Sequence, residues 1–161
     1  MRYLSFSAIT FFLISLVCTA EVPFKEITRD QILSASSEWQ KNYDGFQPAR
    51  ESIEALKSKL GSGLRIEVYL GLWCPDSLNN VPPFLKILDQ LGAPVPVRYF
   101  SVHRKPVKGI RYFVDKSRVE KVPTFILFRG DREIGRIVEN PKIGLPEDML
   151  AIIGQTVQPA F

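Results

Sequence analysis

Leu64-Arg65-Ile66-Glu67-Val68-Tyr69-Leu70-Gly71-Leu72 runs directly into Trp73-Cys74-Pro75-Asp76-Ser77, and the reading of this stretch decides the fold. The first part is apolar and rich in β-branched residues. Its alternation is incomplete, which predicts a strand over 64–72 buried on both faces, as in the centre of a sheet. A helical pattern from Leu78 to Leu91 follows, with Phe84, Leu85, Ile87, Leu88 and Leu91 as its buried side and Gly92 as its stop. Cys74 therefore stands where a strand ends and a helix begins. The unpaired N–H groups of a first helical turn, together with the helix dipole, favour an anion there and hence the thiolate. Pro75 fits that first turn, where a missing N–H costs little. Asp76 suits the dipole, but its charge opposes a nearby thiolate. Pro82-Pro83 is expected to kink or break the helix.

Working outward, Thr28-Arg29-Asp30-Gln31 reads as the cap of a helix running to about Tyr43, and Ala49 to Leu60 as a second helix ended by Gly61-Ser62-Gly63. Downstream, Pro94 and Pro96 frame a loop into a strand, Val97 to Val102. Lys105 to Lys121 reads as a short helix with Ile110, Phe113, Val114 and Val119 on one face. Thr124–Phe128 and Glu133–Val138 are strands around the turn Gly130-Asp131, and a last helix starts at Leu145 and runs through Ile153. His103 is the only histidine. With no metal-ligand spacing around it, it reads as a surface residue and predicts no metal site.

These features together resemble the thioredoxin-like family. Trp73-Cys74-Pro75-Asp76-Ser77 is similar to the Trp-Cys-x-x-Cys that opens the helix after a central strand. Pro82, eight residues after Cys74, stands where the family often carries a helix-kinking proline. Val122-Pro123-Thr124-Phe125 resembles the cis-proline loop, and Ile126 to Ile137 the hairpin that follows it. The match covers roughly residues 64 to 153. The resemblance implies an α/β fold of three layers: a central mixed sheet of about four strands flanked by helices, here with an extra N-terminal helix. It implies catalytic roles for Cys74, Ser77 and Pro123, and a substrate-binding surface of Trp73, Pro75, Asp76 and Val122. The backbone before a cis Pro123 would pair with an extended client segment, a form of strand addition.

The departure from the family is at Ser77, where the second cysteine of the motif would stand. A thiolate attacks a disulfide to form a mixed disulfide, and a two-cysteine enzyme releases the product with its second thiol. A serine hydroxyl does not displace sulfur, but it can donate a hydrogen bond to the thiolate. The family's buried acid, six residues before the reactive cysteine, is here Val68. Glu67 is one residue off and so belongs to the opposite face. Three readings follow: monothiol exchange through Cys74 with an external resolving thiol; a non-catalytic binding or chaperone-like module for extracytoplasmic clients; and metal or cluster coordination across a dimer. The sequence lacks the Gly-Phe-Ser signature of monothiol glutaredoxins that work in the last way.

The bulk composition fits one globular unit: 161 residues, 45% hydrophobic and 24% charged, with a formal net charge of +4. The basic residues are scattered, which excludes a nucleic-acid surface as an expectation. Met1-Arg2, the apolar run Ile9 to Val17 and the small residues Thr19-Ala20 read as a secretory signal peptide cut after Ala20. An uncleaved anchor ranks second, and a lipoprotein anchored at Cys18 below it. The expected organisation is a signal peptide at 1–20, an N-terminal helical extension at 21–63 and a thioredoxin-like domain at 64–161, with 21–161 one compact unit. Cleavage would remove Cys18 and leave Cys74 alone in an oxidising compartment, secreted or periplasmic. Expected partners are protein thiols and disulfides or small thiols, with no cofactor, no nucleic acid and no stable membrane insertion after cleavage.

Overall fold

The computed structural model describes residues 24–103 and 119–155. The central strand is β2 (Leu64–Leu70). It runs parallel to β3 (Val97–Val102) and antiparallel to β4 (Thr124–Arg129), and β4 pairs with β5 (Arg132–Val138) through a tight hairpin. A fifth strand, β1 (Phe24–Ile27), lies antiparallel to β3 at the outer edge, so the sheet order is β1-β3-β2-β4-β5. The sequence predicts about four strands and omits β1. Phe24-Lys25-Glu26-Ile27 is only four residues long with both charges in the middle, so no alternation is visible. Pairing with β3 supplies the order that this short segment lacks. The sheet is mixed and flanked by helices, as a thioredoxin-like α/β fold requires. The expected helix within 105–121 falls mostly outside the described residues, as do the signal segment and Cys18.

The helices α1 (Arg29–Leu33), α2 (Ser37–Gly45), α3 (Arg50–Lys59), α4 (Pro75–Leu91) and α5 (Leu145–Gly154) all contribute to one core. Ile32, Trp39, Leu56, Phe84 and Met149 meet Ile66, Val68, Leu70, Phe125 and Leu127 from one face of the sheet. The opposite face carries a smaller cluster of Tyr69, Phe100, Val102, Val119, Ile126 and Phe128, with Tyr69 stacked on Phe100. Because neighbouring strand residues point to opposite faces, Val68 enters the main core while Glu67 faces the second cluster. There Glu67 pairs with Arg65 at 2.8 Å and accepts a hydrogen bond from the Tyr69 hydroxyl at 2.9 Å.

Two helix expectations are revised. The single helix predicted from Thr28 to Tyr43 is two. Thr28 and Gln31 form the capping box read from the sequence, but α1 ends at Leu33 and Ser36 is extended before α2 restarts. Serine competes for backbone hydrogen bonds in non-helical conformations, and Ser34-Ala35-Ser36 offers no large apolar residue to keep the helix on the core. Conversely, Pro82-Pro83 does not break α4, which is continuous from Pro75 to Leu91 and ends at Gly92 in the left-handed conformation. Pro82 deprives the Leu78 carbonyl of its helical donor. Asn42 of α2 replaces it, donating from Nδ2 to Leu78 O at 2.9 Å. The carbonyl freed by Pro83 belongs to Asn79, an exposed residue of the helix. At the far end of α4, Asp89 is bonded by Arg29 of α1 and Tyr43 of α2, and the Arg29 guanidinium holds its carboxyl below the ordinary aspartate range.

Asn42→Ala should therefore lower stability by about 1 kcal/mol, the usual net worth of such a bond. In a Pro82→Ala background, where residue 82 regains its own N–H, the same substitution should cost little. Urea unfolding of the four chains in this double-mutant cycle checks it, and equal costs in both backgrounds would refute the role given to Asn42.

Candidate active site

The turn from β2 into α4 is built around Gly71. Its carbonyl accepts a hydrogen bond from Cys74 N–H at 2.9 Å, and its N–H donates to Ser77 Oγ at 3.1 Å. Cys74 is the N-cap residue of α4, with extended backbone (φ −95°, ψ 124°), and Pro75 occupies the first turn as the sequence predicts. The Trp73 ring packs over Gly71 so closely that a Cβ there would sit 2.9 Å from Trp73 Cε2. Only glycine leaves room for it. The indole Nε1 donates to Val102 O at 3.1 Å, while 42% of the residue stays open to solvent.

The opposing wall is the loop before β4, where the Val122–Pro123 peptide is cis, as the resemblance to the thioredoxin-like family implies. The Cys74 thiol donates to Val122 O, with Sγ 3.3 Å from the oxygen. Cys74 is 8% exposed. A cavity of about 240 Å³ opens beside it, with Trp73, Asp76, Glu120, Lys121, Val122 and Glu139 among its walls. The structure thus brings Trp73, Cys74, Asp76 and Val122 to one cavity. Pro123 is buried behind Val122, and Pro75 is exposed at the start of the helix.

Ser77 lies elsewhere than the expected contact with sulfur. It is fully buried, and its bond is the one accepted from Gly71 N–H; no bond to Cys74 is formed among the described residues. The hydroxyl points back under the turn because the Gly71 amide, at the end of a strand, needs an acceptor there. His103 is exposed and takes no part in the cavity wall. No group of three His, Cys, Asp or Glu side chains able to hold a metal occurs among the described residues.

A second set of residues, which the motifs of the sequence do not single out, holds the two walls in place. Asn80 of α4 is 9% exposed, and its Nδ2 lies within bonding distance of Asp76 O, Glu139 O and Asn140 Oδ1. Glu139 adopts φ 59°, rare for a non-glycine residue. Its N–H donates to Pro123 O at 2.7 Å and its carboxylate pairs with Lys121 at 2.6 Å. Thr124 Oγ1 donates to Lys121 O at 2.7 Å. The one available signal is Asn80 itself, a polar residue beside Val81 and Phe84 on an otherwise apolar helix side.

With this geometry in view, comparison with known proteins gives the class. A sequence-family model described as thioredoxin matches residues 22–146, and the chain belongs to that family. No curated protein and no solved structure matches it.

Because Ser77 Oγ is the only described acceptor for a buried amide, Ser77→Ala should cost about 1–3 kcal/mol. Ser77→Cys should cost less, since sulfur can still accept weakly. Thermal or urea unfolding of both variants tests this; a Ser77→Ala chain as stable as the parent would show that the Gly71 bond does not hold the turn.

Proposed function

We propose that this protein is an exported thioredoxin-like protein that carries out thiol–disulfide exchange through Cys74 alone, with an external thiol completing the reaction. The observation that carries this reading is the placement of Cys74 Sγ 3.3 Å from Val122 O, beside a cis proline and at the wall of a cavity. The export part rests on the N-terminal segment, whose charge and apolar run read as a signal peptide.

The chemistry is a pair of displacements. Cys74 loses its proton to solvent, and the thiolate attacks one sulfur of a client disulfide. A Cys74–client disulfide forms, the client S–S bond breaks, and the other client sulfur leaves as a thiolate. A second thiolate, from a client cysteine or a small thiol, then attacks the client sulfur of the mixed disulfide and releases Cys74 as thiolate. No net oxidant is consumed when the same client supplies both sulfurs, which is isomerisation. When a small thiol makes that attack, the client sulfur leaves carrying it as a new mixed disulfide. Removal of such an adduct runs the other way: Cys74 takes the small-thiol sulfur, the client leaves as thiolate, and a second small thiol frees Cys74 as a small-molecule disulfide departs. Within this scheme the Val122 carbonyl accepts a client backbone N–H by strand addition once the Cys74 thiol has released it. Trp73, Pro75 and Asp76 form the adjoining surface, and Ser77 holds the turn that presents the sulfur.

A second reading, a binding module for extracytoplasmic clients, is favoured by the low exposure of Cys74 and by the engagement of its thiol with a backbone carbonyl. The two differ in one measurement. On the exchange reading, the folded protein incubated with hydroxyethyl disulfide gains one adduct on Cys74 by intact-mass spectrometry, and a small thiol removes it. Cys74→Ala should abolish exchange while leaving the circular dichroism unchanged. An adduct that forms only after denaturation would leave the binding module as the function.

Ser77→Cys should convert the chain into one that reduces a protein disulfide stoichiometrically without added thiol. The readout is the appearance, by mass spectrometry, of an internal disulfide joining Cys74 to the thiol introduced at position 77. A Ser77→Cys chain that only accumulates the mixed disulfide would point instead to the absence of an acid at Val68 as the limit.

A further inference from the structure

We propose that the end of the helical layer farthest from Cys74 holds a binding site for a dianionic phosphate group, either inorganic phosphate or a phosphomonoester. A cavity of about 510 Å³ lies there between the C-terminal ends of α3 and α5, with the β4–β5 hairpin as its floor. Lys59, Arg129 and Arg132 line it, together with Gly61, Ile134 and Ile153. Arg129 lies opposite Leu64 at the start of β2, whereas Cys74 follows the other end of that strand. At about 3.3 Å per residue, the strand puts the two sites roughly 20 Å apart.

Two independent observations point to an anion. First, Lys59, Arg129 and Arg132 take part in no ion pair among the described residues, whereas Arg29, Arg65 and Arg136 each have a carboxylate. Second, Arg129 Nε is the one side-chain polar atom among the described residues that is buried with no hydrogen-bond partner. A buried N–H left unpaired is costly, so a turn of the Arg129 side chain that brings its guanidinium onto an acceptor in the cavity is favoured. Among the described residues no acidic side chain lines the cavity to balance the three cations. The C-terminal ends of α3 and α5 contribute roughly half a unit each, and Asp131 in the hairpin turn, outside the lining, up to one more, leaving about one to two positive charges over. That excess suits a phosphate group. The geometry is also suitable, because a guanidinium presents its donors in a fork that fits phosphate oxygens. Ile134 and Ile153 give the cavity an apolar side, which strengthens the electrostatics and offers a surface to the organic part of a monoester.

The test is an amide NMR titration of the full chain with inorganic phosphate and, separately, glycerol 3-phosphate, at constant ionic strength against a sodium chloride control. Saturable shifts should cluster at Gly61, Arg129, Gly130 and Arg132. Arg129→Gln and Arg132→Gln should each weaken binding by roughly fivefold or more, the order expected for losing a charge-assisted bond. Arg132 is exposed at the hairpin, so its variant keeps the test valid if Arg129→Gln destabilises the fold. Cys74→Ala should bind as the parent does. Tighter binding of glycerol 3-phosphate would identify a monoester as the ligand, and equal or tighter binding of inorganic phosphate the free anion. Shifts that fail to saturate, that match the chloride control, or that survive both arginine substitutions would overturn the proposal.

Discussion

Both polar groups of Gly71 are committed to the residues that follow it: its carbonyl to the Cys74 amide and its amide to Ser77 Oγ. These two bonds close the turn between the central strand and α4, and the position of the sulfur follows from them. Cys74 becomes the N-cap of the helix because its own N–H is bonded back into the turn. The glycine's missing side chain admits the Trp73 ring, whose indole N–H then reaches the end of β3 at Val102. One turn thus ties together β2, β3 and the first helical turn of α4. All three elements have buried faces, so the sulfur is placed by the packed core rather than by a loop.

The wall facing the sulfur is positioned from two other directions. The register between β2 and β4 places Thr124 opposite Tyr69, and hence Val122-Pro123 just beyond the end of the central strand. From the helix side, Asn80 reaches the carbonyl of Glu139, whose amide in turn bonds Pro123 O. The positive φ of Glu139 is the sign of a backbone bent to satisfy both contacts, with the Lys121 ion pair across the bend. The sulfur and the Val122 carbonyl meet because α4 holds one of them directly and braces the other through Asn80.

The order of elements from β2 onward and the strand-to-helix position of Cys74 are legible in the sequence, because each depends on residues adjacent in the chain: the 64–70 apolar run and the glycine stops. The cis peptide at Pro123 is legible only through the resemblance of Val122-Pro123-Thr124-Phe125 to the family's loop, since an X-Pro pair alone favours trans. What escapes depends on pairs distant in the chain. β1 is defined by its pairing with β3, on the far side of four helices and the central strand, and its four residues carry no pattern of their own. The continuity of α4 through Pro82-Pro83 needs Asn42, a polar residue in α2 that local reading treats as solvent-facing. Ser77 reads in the sequence as a neighbour of the nearest sulfur, but its partner is a backbone amide six residues back, which no side-chain motif discloses. The Asn80–Glu139–Asn140 cluster is of the same kind.

Ser77 also explains how one atom can leave the architecture unchanged while altering the reaction it supports. The position is fully buried, so its occupant must satisfy Gly71 N–H or leave it unpaired. A hydroxyl oxygen accepts that bond better than a thiol would, so serine serves the turn well. The same hydroxyl cannot attack a mixed disulfide, and no carboxylate stands at Val68, where a second thiol would find its proton acceptor. On the monothiol reading these two features belong together. A buried acid below an unreactive serine would carry the desolvation cost of a charge with no proton to receive, whereas valine there adds apolar burial to the core. The chain therefore combines a turn tightened by a hydroxyl, a core closed by Val68, and a single sulfur at the cavity wall. On that reading, exchange begun at that sulfur is finished by a thiol from another molecule.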